Sequence, residues 1–200
     1  MVQVTLRPNG AGYYQNWETL VDGSHYGATS DQNDATYIQT QVQGRVDVEA
    51  LQDPAFAAGD TINWVQVHYR AYAIGSGGGE RIDVWERENT TDRDQGNNQT
   101  ITRGSWNEYL GDQQTTKPTG GAWTKSALTA LQVGVEARTL GSGETLRVSE
   151  IWVVVDYTIV AGFKRLMFSS EPPVPAAWNQ LHYDSEPPGT GAFNRLDIEL

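Results

Sequence analysis

The chain contains no cysteine, only two methionines and only four phenylalanines among its 200 residues. Without thiols, disulfides and thiolate metal sites are excluded, and the redox compartment stays open. Basic residues are scarce as well: 14 Lys and Arg stand against 25 Asp and Glu, a formal net charge of −11. Binding nucleic acid through its phosphates needs a basic face, so that class is set aside, and the acidic balance favours solubility. No run approaches the ~20 apolar residues of a membrane span. The first ten residues, MVQVTLRPNG, lack a basic segment followed by an apolar one. No signal peptide is therefore expected, and a protein working outside the cell would leave by lysis or a dedicated route.

Catalytic signatures are missing too. There is no G-x-S-x-G, no Walker loop and no dinucleotide fingerprint. The run GSGGGE at 75–80 lacks the lysine and following helix that phosphate binding needs, and reads as a turn. The three histidines, His25, His68 and His182, show no H-x-H or H-E-x-x-H spacing, and His68 reads as a surface or inter-sheet residue. Glu86 and Glu88 share the end of one strand, whereas a glycosidase pair faces across a cleft. Asp22, Asp31 and Asp34 could offer oxygens to Ca²⁺, but their spacing matches no EF-hand loop and suits a solvated Asx-rich turn. The expectation is a non-enzymatic protein with no cofactor and no assigned metal.

What the chain does have is turns and alternating strands. With 21 glycines and 10% aromatics, residues 1–160 read as all-β. In INWVQVHYRAYAI (62–74), Val65, Val67, Tyr69, Ala71 and Ala73 share one face, with Gln66, His68 and Arg70 on the other. Gly75–Gly79 follows, then RIDVWE with Ile82 and Val84 inward, which predicts a hairpin. Val133, Val135 and Ala137 form a third apolar face, and Ile151, Val153, Val155 and Tyr157 a fourth. Shorter strands are expected at 2–6, 36–39, 45–50 and 100–103, and a helical turn or two at 125–131. Stretches 7–35 and 104–122 read as long loops. Such a pattern predicts two packed antiparallel sheets, a jelly-roll-like β-sandwich. Trp17, Trp106 and Trp123 fall in or beside loops, where exposed aromatics could stack on sugar rings; for Trp123 a role plugging the end of the sandwich is the plainer expectation. Asn89-Thr-Thr and Asn98-Gln-Thr fit the N-glycosylation triplet, one that chance supplies often.

Three stretches carry a resemblance: LRPNGAGYYQNW near the start, DQNDATYIQT at 31–40, and GAWTKSALTALQVGVEAR…LRVSEIWVVVDYT at 121–158. Together they resemble a recurring module of tailed-phage structural proteins and related exported proteins, over most of residues 1–158. The resemblance implies a jelly-roll-type sandwich with a non-catalytic role on a virion or cell surface.

Residues 161–200 form a second segment, with a 15-residue repeat outside that module. Phe163-Lys-Arg-Leu166, Trp178-Asn-Gln-Leu181 and Phe193-Asn-Arg-Leu196 recur at constant spacing, separated by Ser-Glu-Pro-Pro at 170–173 and 185–188. Proline removes a donor and fixes φ, so each copy reads as a short strand ending in a stiff elbow. Leu166, Phe168, Leu181, Tyr183, Leu196 and Ile198 form one face, and Phe163, Trp178 and Phe193 lie on the other. Three short strands cannot bury an apolar face alone. The repeat is therefore expected to join copies of the chain, with a trimer as first choice, or to fold back on its own sandwich. The overall expectation is a virion component (capsid decoration, head fibre or tail-associated), released on lysis and contacting itself and other virion proteins. A carbohydrate-binding module and a strand-donating filament subunit are the alternatives.

Overall fold

The computed structural model describes residues 1–19, 23–57 and 59–160. Asp22 and the expected assembly residues Phe163, Leu166, Phe168, Trp178, Leu181, Tyr183, Phe193, Leu196 and Ile198 lie outside the described residues. In chain order the elements are β1 (Val2–Leu6), β2 (Pro8–Gln15), β3 (Glu18–Thr19), α1 (His25–Ser30), β4 (Ile38–Thr40), β5 (Val46–Leu51) and β6 (Thr61–Ile74). They continue with β7 (Arg81–Glu88), β8 (Thr91–Asp94), β9 (Gln99–Thr100), β10 (Asn107–Leu110), α2 (Lys125–Thr129), β11 (Leu131–Thr139) and β12 (Thr145–Thr158).

Among the described residues the strands form two six-stranded antiparallel sheets that pack as a sandwich. Sheet A runs β10-β6-β12-β4-β3, with β1 also on β12; sheet B runs β2-β5-β11-β7-β8, with β9 also on β7. The two longest strands, β6 and β12, pair over nearly their whole lengths, and their alternation decides which face is covered. Val65, Val67, Tyr69, Ala71 and Ala73 of β6 meet Ile151, Val153 and Val155 of β12 in the core, with Ile82 and Val84 of β7 and Val133, Val135 and Ala137 of β11. These are the inward faces read from the sequence. Full burial of each valine or isoleucine among them stabilises by roughly 1.5–3 kcal/mol.

The hairpin predicted across Gly75–Gly79 does not form. β6 pairs with β12 and β10, whereas β7 pairs with β11, β8 and β9, so the glycine run is a crossover between sheets. Gly75 and Gly79 take left-handed φ of 142° and 94°, which lets the chain leave one sheet and enter the other. Glu144 holds the crossover by accepting the Gly77 N–H at 2.6 Å and the Gly141 N–H at 3.1 Å. Arg103 bridges the same carboxylate to buried Glu80. Two alternating apolar runs with a flexible turn between them are compatible with either topology. Only the partners decide it: β11 for β7 and β12 for β6, both far along the chain.

The stretches read as loops are only partly loops. Residues 7–35 carry β2, β3 and α1, and residues 104–122 carry β10. Helix α2 starts as expected, with Thr124 capping the Ala127 N–H at 3.1 Å, but Leu131 already opens β11.

Candidate functional site

The outward face of sheet A collects the chain's polar and aromatic chemistry. Strand pairing sets two rows across three strands: Glu108, Arg70 and Glu150 in one, and Leu110, His68 and Trp152 in the next. Opposed residues of antiparallel strands share a face, so these side chains stand side by side. The loop before β4 lays Gln32, Asn33 and Asp34 along one side, closing a groove of about 420 Å³ together with Arg70, Glu108, Glu150 and Trp152. That volume lies within the usual range of small-molecule sites.

The charged groups in the groove are each held by a neighbour. Arg70 donates Nε and Nη2 to the two oxygens of Asp34, both at 2.7 Å. Ser149 adds a third bond to Asp34 at 2.8 Å. The Arg70 guanidinium, then the Ser149 hydroxyl, outweigh partial burial and hold the Asp34 carboxyl below its usual range. His68 Nδ1 lies 3.0 Å from Glu108, and its ring packs 5.2 Å from Trp152. Arg7 contacts Glu150 at 3.5 Å and lies over the Trp152 ring. A further aromatic group flanks the groove on the same face. Trp106 lies 5.4 Å from Tyr72 and 6.0 Å from Tyr37, whose ring carries Arg147. From His68 to Tyr72 the strand spans about 13 Å.

Neither a family model nor a curated protein sequence matches the chain. Its function has to be read from this geometry.

Of the tryptophans read as loop-exposed, Trp17 and Trp123 are instead core residues, 3% and 4% accessible. Their indole N–H groups donate to the Arg45 and Gln114 carbonyls. Trp123 fits the plainer expectation, a plug ahead of the short helix. Trp106 alone of the three joins the aromatic face, and Trp152, passed over in the sequence, is the one that lines the groove. Asp31 and Asp34 do not converge on an ion position. Asp31 accepts from the Asn33 N–H and the Thr36 hydroxyl, as an Asx turn does, while Asp34 is committed to Arg70.

Glu86 and Glu88 lie on the core-facing side of β7, each met by cations from later segments. Arg93 and Gln95 bond Glu86 at 2.6 and 2.9 Å, and Lys117 and Thr119 bond Glu88 at 3.2 and 2.6 Å. Burial keeps the Glu86 carboxyl raised despite Arg93, whereas the bonds from Thr119 and Lys117 outweigh burial and lower Glu88. Both carboxylates are occupied within the fold.

Among the described residues, two clusters bring metal-ligating atoms within 4.8 Å of one another: His25, Asp47 and Glu49, and Asp83, Asp94 and Glu136. Arg138 reaches all three carboxylates of the second at 3.4–3.7 Å, so that cluster already holds its cation. In the first, Asp47 and Glu49 oppose Val135 and Val133 of β11, and therefore point inward with the core. Burial, then the Asp47 charge, push Glu49 from 4.5 up to about 9.

The sign of the resulting pH effect is fixed. A carboxyl whose folded pKa lies above its unfolded value favours folding below about pH 4.5, and that advantage is lost as pH rises toward about 9. Glu49→Gln, which mimics the protonated form, should therefore melt close to the wild type at pH 5 and several degrees above it at pH 8. Melting curves in chelator across that range check this; a gap that is flat or reversed would show that Glu49 folds ionised.

Proposed function

We propose that the chain is a non-enzymatic structural protein of a tailed-phage virion, built on a jelly roll and assembled through its C-terminal repeat. The observation that carries this reading is the strand order. Of the eight strands β4, β5, β6, β7, β8, β10, β11 and β12, the first pairs with the last, the second with the seventh, the third with the sixth and the fourth with the fifth. One long antiparallel ribbon rolled into a sandwich has this order, and the architecture is common among capsid and lectin domains. The side chains most suggestive of acid–base chemistry, Glu86 and Glu88, are tied up inside the fold, which favours a structural role.

In this reading the tail makes the oligomer, a trimer by first choice, that meets other virion proteins. Replacing Leu181, the middle of three equivalent leucines, by aspartate places an unpaired charge in an apolar seam. Leu181→Asp is expected to give a folded monomer whose sandwich melts as the wild type does. Mass measured in solution decides the matter. A wild type already monomeric, or a mutant of unchanged mass, would remove the assembly role.

A second reading is favoured by the groove on sheet A. Trp152 offers an apolar ring, while Arg70, Glu108, Glu150, Gln32 and Asn33 offer the alternating donors and acceptors that sugar hydroxyls require. The shallow polar lining suits a saccharide better than an apolar ligand. Trp152→Ala should weaken glycan binding at least about tenfold, the weight of a 1.4 kcal/mol contact, with the fold intact. A glycan array followed by titration of the best binder tests this. No binding by the wild type, or equal binding by the variant, would dismiss it.

A further inference from the structure

We propose that His25, Asp47 and Glu49 form a binding site for one divalent transition-metal cation of the Zn²⁺ or Mn²⁺ kind. The three ligating atoms lie within 4.8 Å of one another, a span that bonds of about 2.0–2.2 Å close with small side-chain movements. One imidazole with two carboxylates suits these ions, whereas Ca²⁺ prefers oxygen alone.

A cluster of acids is not a site merely by being acidic. Here the independent sign is a pair of orphaned atoms. Asp47 and Glu49 are both fully buried, yet Asp47 Oδ1 and Glu49 Oε1 have no hydrogen-bond donor. Leaving one such acceptor unsatisfied is costly, and buried charge is ordinarily paired or metal-bound. The other oxygen of each carboxylate is already positioned. Asp47 Oδ2 accepts the Trp17 N–H at 3.0 Å and lies 2.8 Å from His25 Nδ1, and Glu49 Oε2 accepts from Gln15 Nε2 at 3.2 Å. Bonds of this kind orient ligating carboxylates from behind.

Among the described residues no lysine or arginine is ion-paired with Asp47 or Glu49. Arg45, two positions before Asp47, donates to the Asn16 carbonyl and pairs with Glu18 instead. His25 opens α1, a helix packed on β2 and β12, and its side chain keeps 15% exposure, which provides a way in for the ion. A cation arriving there would pair both buried carboxylates, so that binding stabilises the fold.

The experiment is calorimetric titration of the metal-free full chain at pH 7.5 with ZnCl₂ and, separately, MnCl₂, with melting curves alongside. One equivalent should bind and raise the melting temperature. Both effects should vanish in Glu49→Gln and in His25→Ala, while Gln15→Ala should weaken binding about 10- to 100-fold. Glu49→Gln keeps the shape of a protonated carboxyl, and its own melting curve establishes that it is folded. Failure of both metals to bind the wild type would overturn the proposal. Undiminished binding by folded Glu49→Gln would also overturn it, since the ion would then sit elsewhere, for instance at His68 or His182. Neither result bears on the virion or glycan readings.

Discussion

Gly134→Ala is expected to cost about 3 kcal/mol or more and to leave little folded protein at 37 °C. Gly134 sits mid-strand in β11, opposite Val48 of β5 and Trp85 of β7. A Cβ there would run into the Asp47 carbonyl oxygen and lie 2.7 Å from the Val48 Cα. Those obstacles are backbone atoms of the neighbouring strand, so no rotamer change relieves them. Overpacking a side-chain core costs typically 1–3 kcal/mol, and here the β5–β11 pairing itself has to open. Total stability of a domain is usually only about 5–15 kcal/mol. Chemical denaturation of the variant beside wild type measures the loss. A difference below about 1 kcal/mol would mean that the two strands lie farther apart than the geometry has them.

That close approach also shows what the sequence could and could not reveal. An isolated glycine in a strand suggests a close neighbour but does not say which one. The faces of β6, β11 and β12 were legible because apolar residues alternate cleanly there and one sheet face is covered. β5 misleads for a physical reason. Val46, Val48 and Ala50 alternate as an apolar face, yet the register turns Asp47, Glu49 and Leu51 toward the core. Alternation locates the core only when the other face meets water. Here Val48 is fully buried as well, and β2, paired beside β5, brings Gly12 against the Val48 backbone and Gln15 to the Val48 carbonyl. β2 itself, Pro8–Gln15, carries a proline, two glycines and two register shifts, and so reads as a loop.

The candidate sites were less legible than the fold. Arg70, Glu150 and Trp152 look like the ordinary polar sides of two strands, and they become a groove only when β6 pairs with β12 and the 32–34 loop folds over them. His25 is separated from Asp47 by 22 positions and showed no ligand spacing, because its partners come from another strand. The available signal was two acids at alternate positions in an otherwise apolar strand.

The same displacement of charge into the core makes Arg93 the most consequential ion-pair residue to change. Glu86 lies in the row Glu86–Val133–Glu49 across sheet B and is fully buried. Its carboxylate depends on Arg93 Nε at 2.6 Å and Gln95 Nε2 at 2.9 Å. Even so, burial outweighs these bonds and its pKa stays raised. Arg93→Met removes the only cation bonded to it among the described residues and should cost about 3–5 kcal/mol near neutral pH, the usual result of orphaning one partner of a buried pair. The pH dependence follows from the raised carboxyl. Loss of the guanidinium raises it further, so the protonated form carries the fold at low pH and the deficit widens as pH rises from about 4 to 8. The double variant Glu86→Met/Arg93→Met should recover to within about 1 kcal/mol of wild type, because well-packed apolar replacements avoid desolvating either charge. Denaturation midpoints for the three proteins at pH 4 and pH 8 test the whole scheme. If the single variant loses less than 1 kcal/mol at pH 8, Glu86 is reached by water and the pair contributes like a surface bridge. If the double variant is no better than the single, the arginine acts through its packing on Trp123 and its bond to the Thr116 carbonyl instead of through charge.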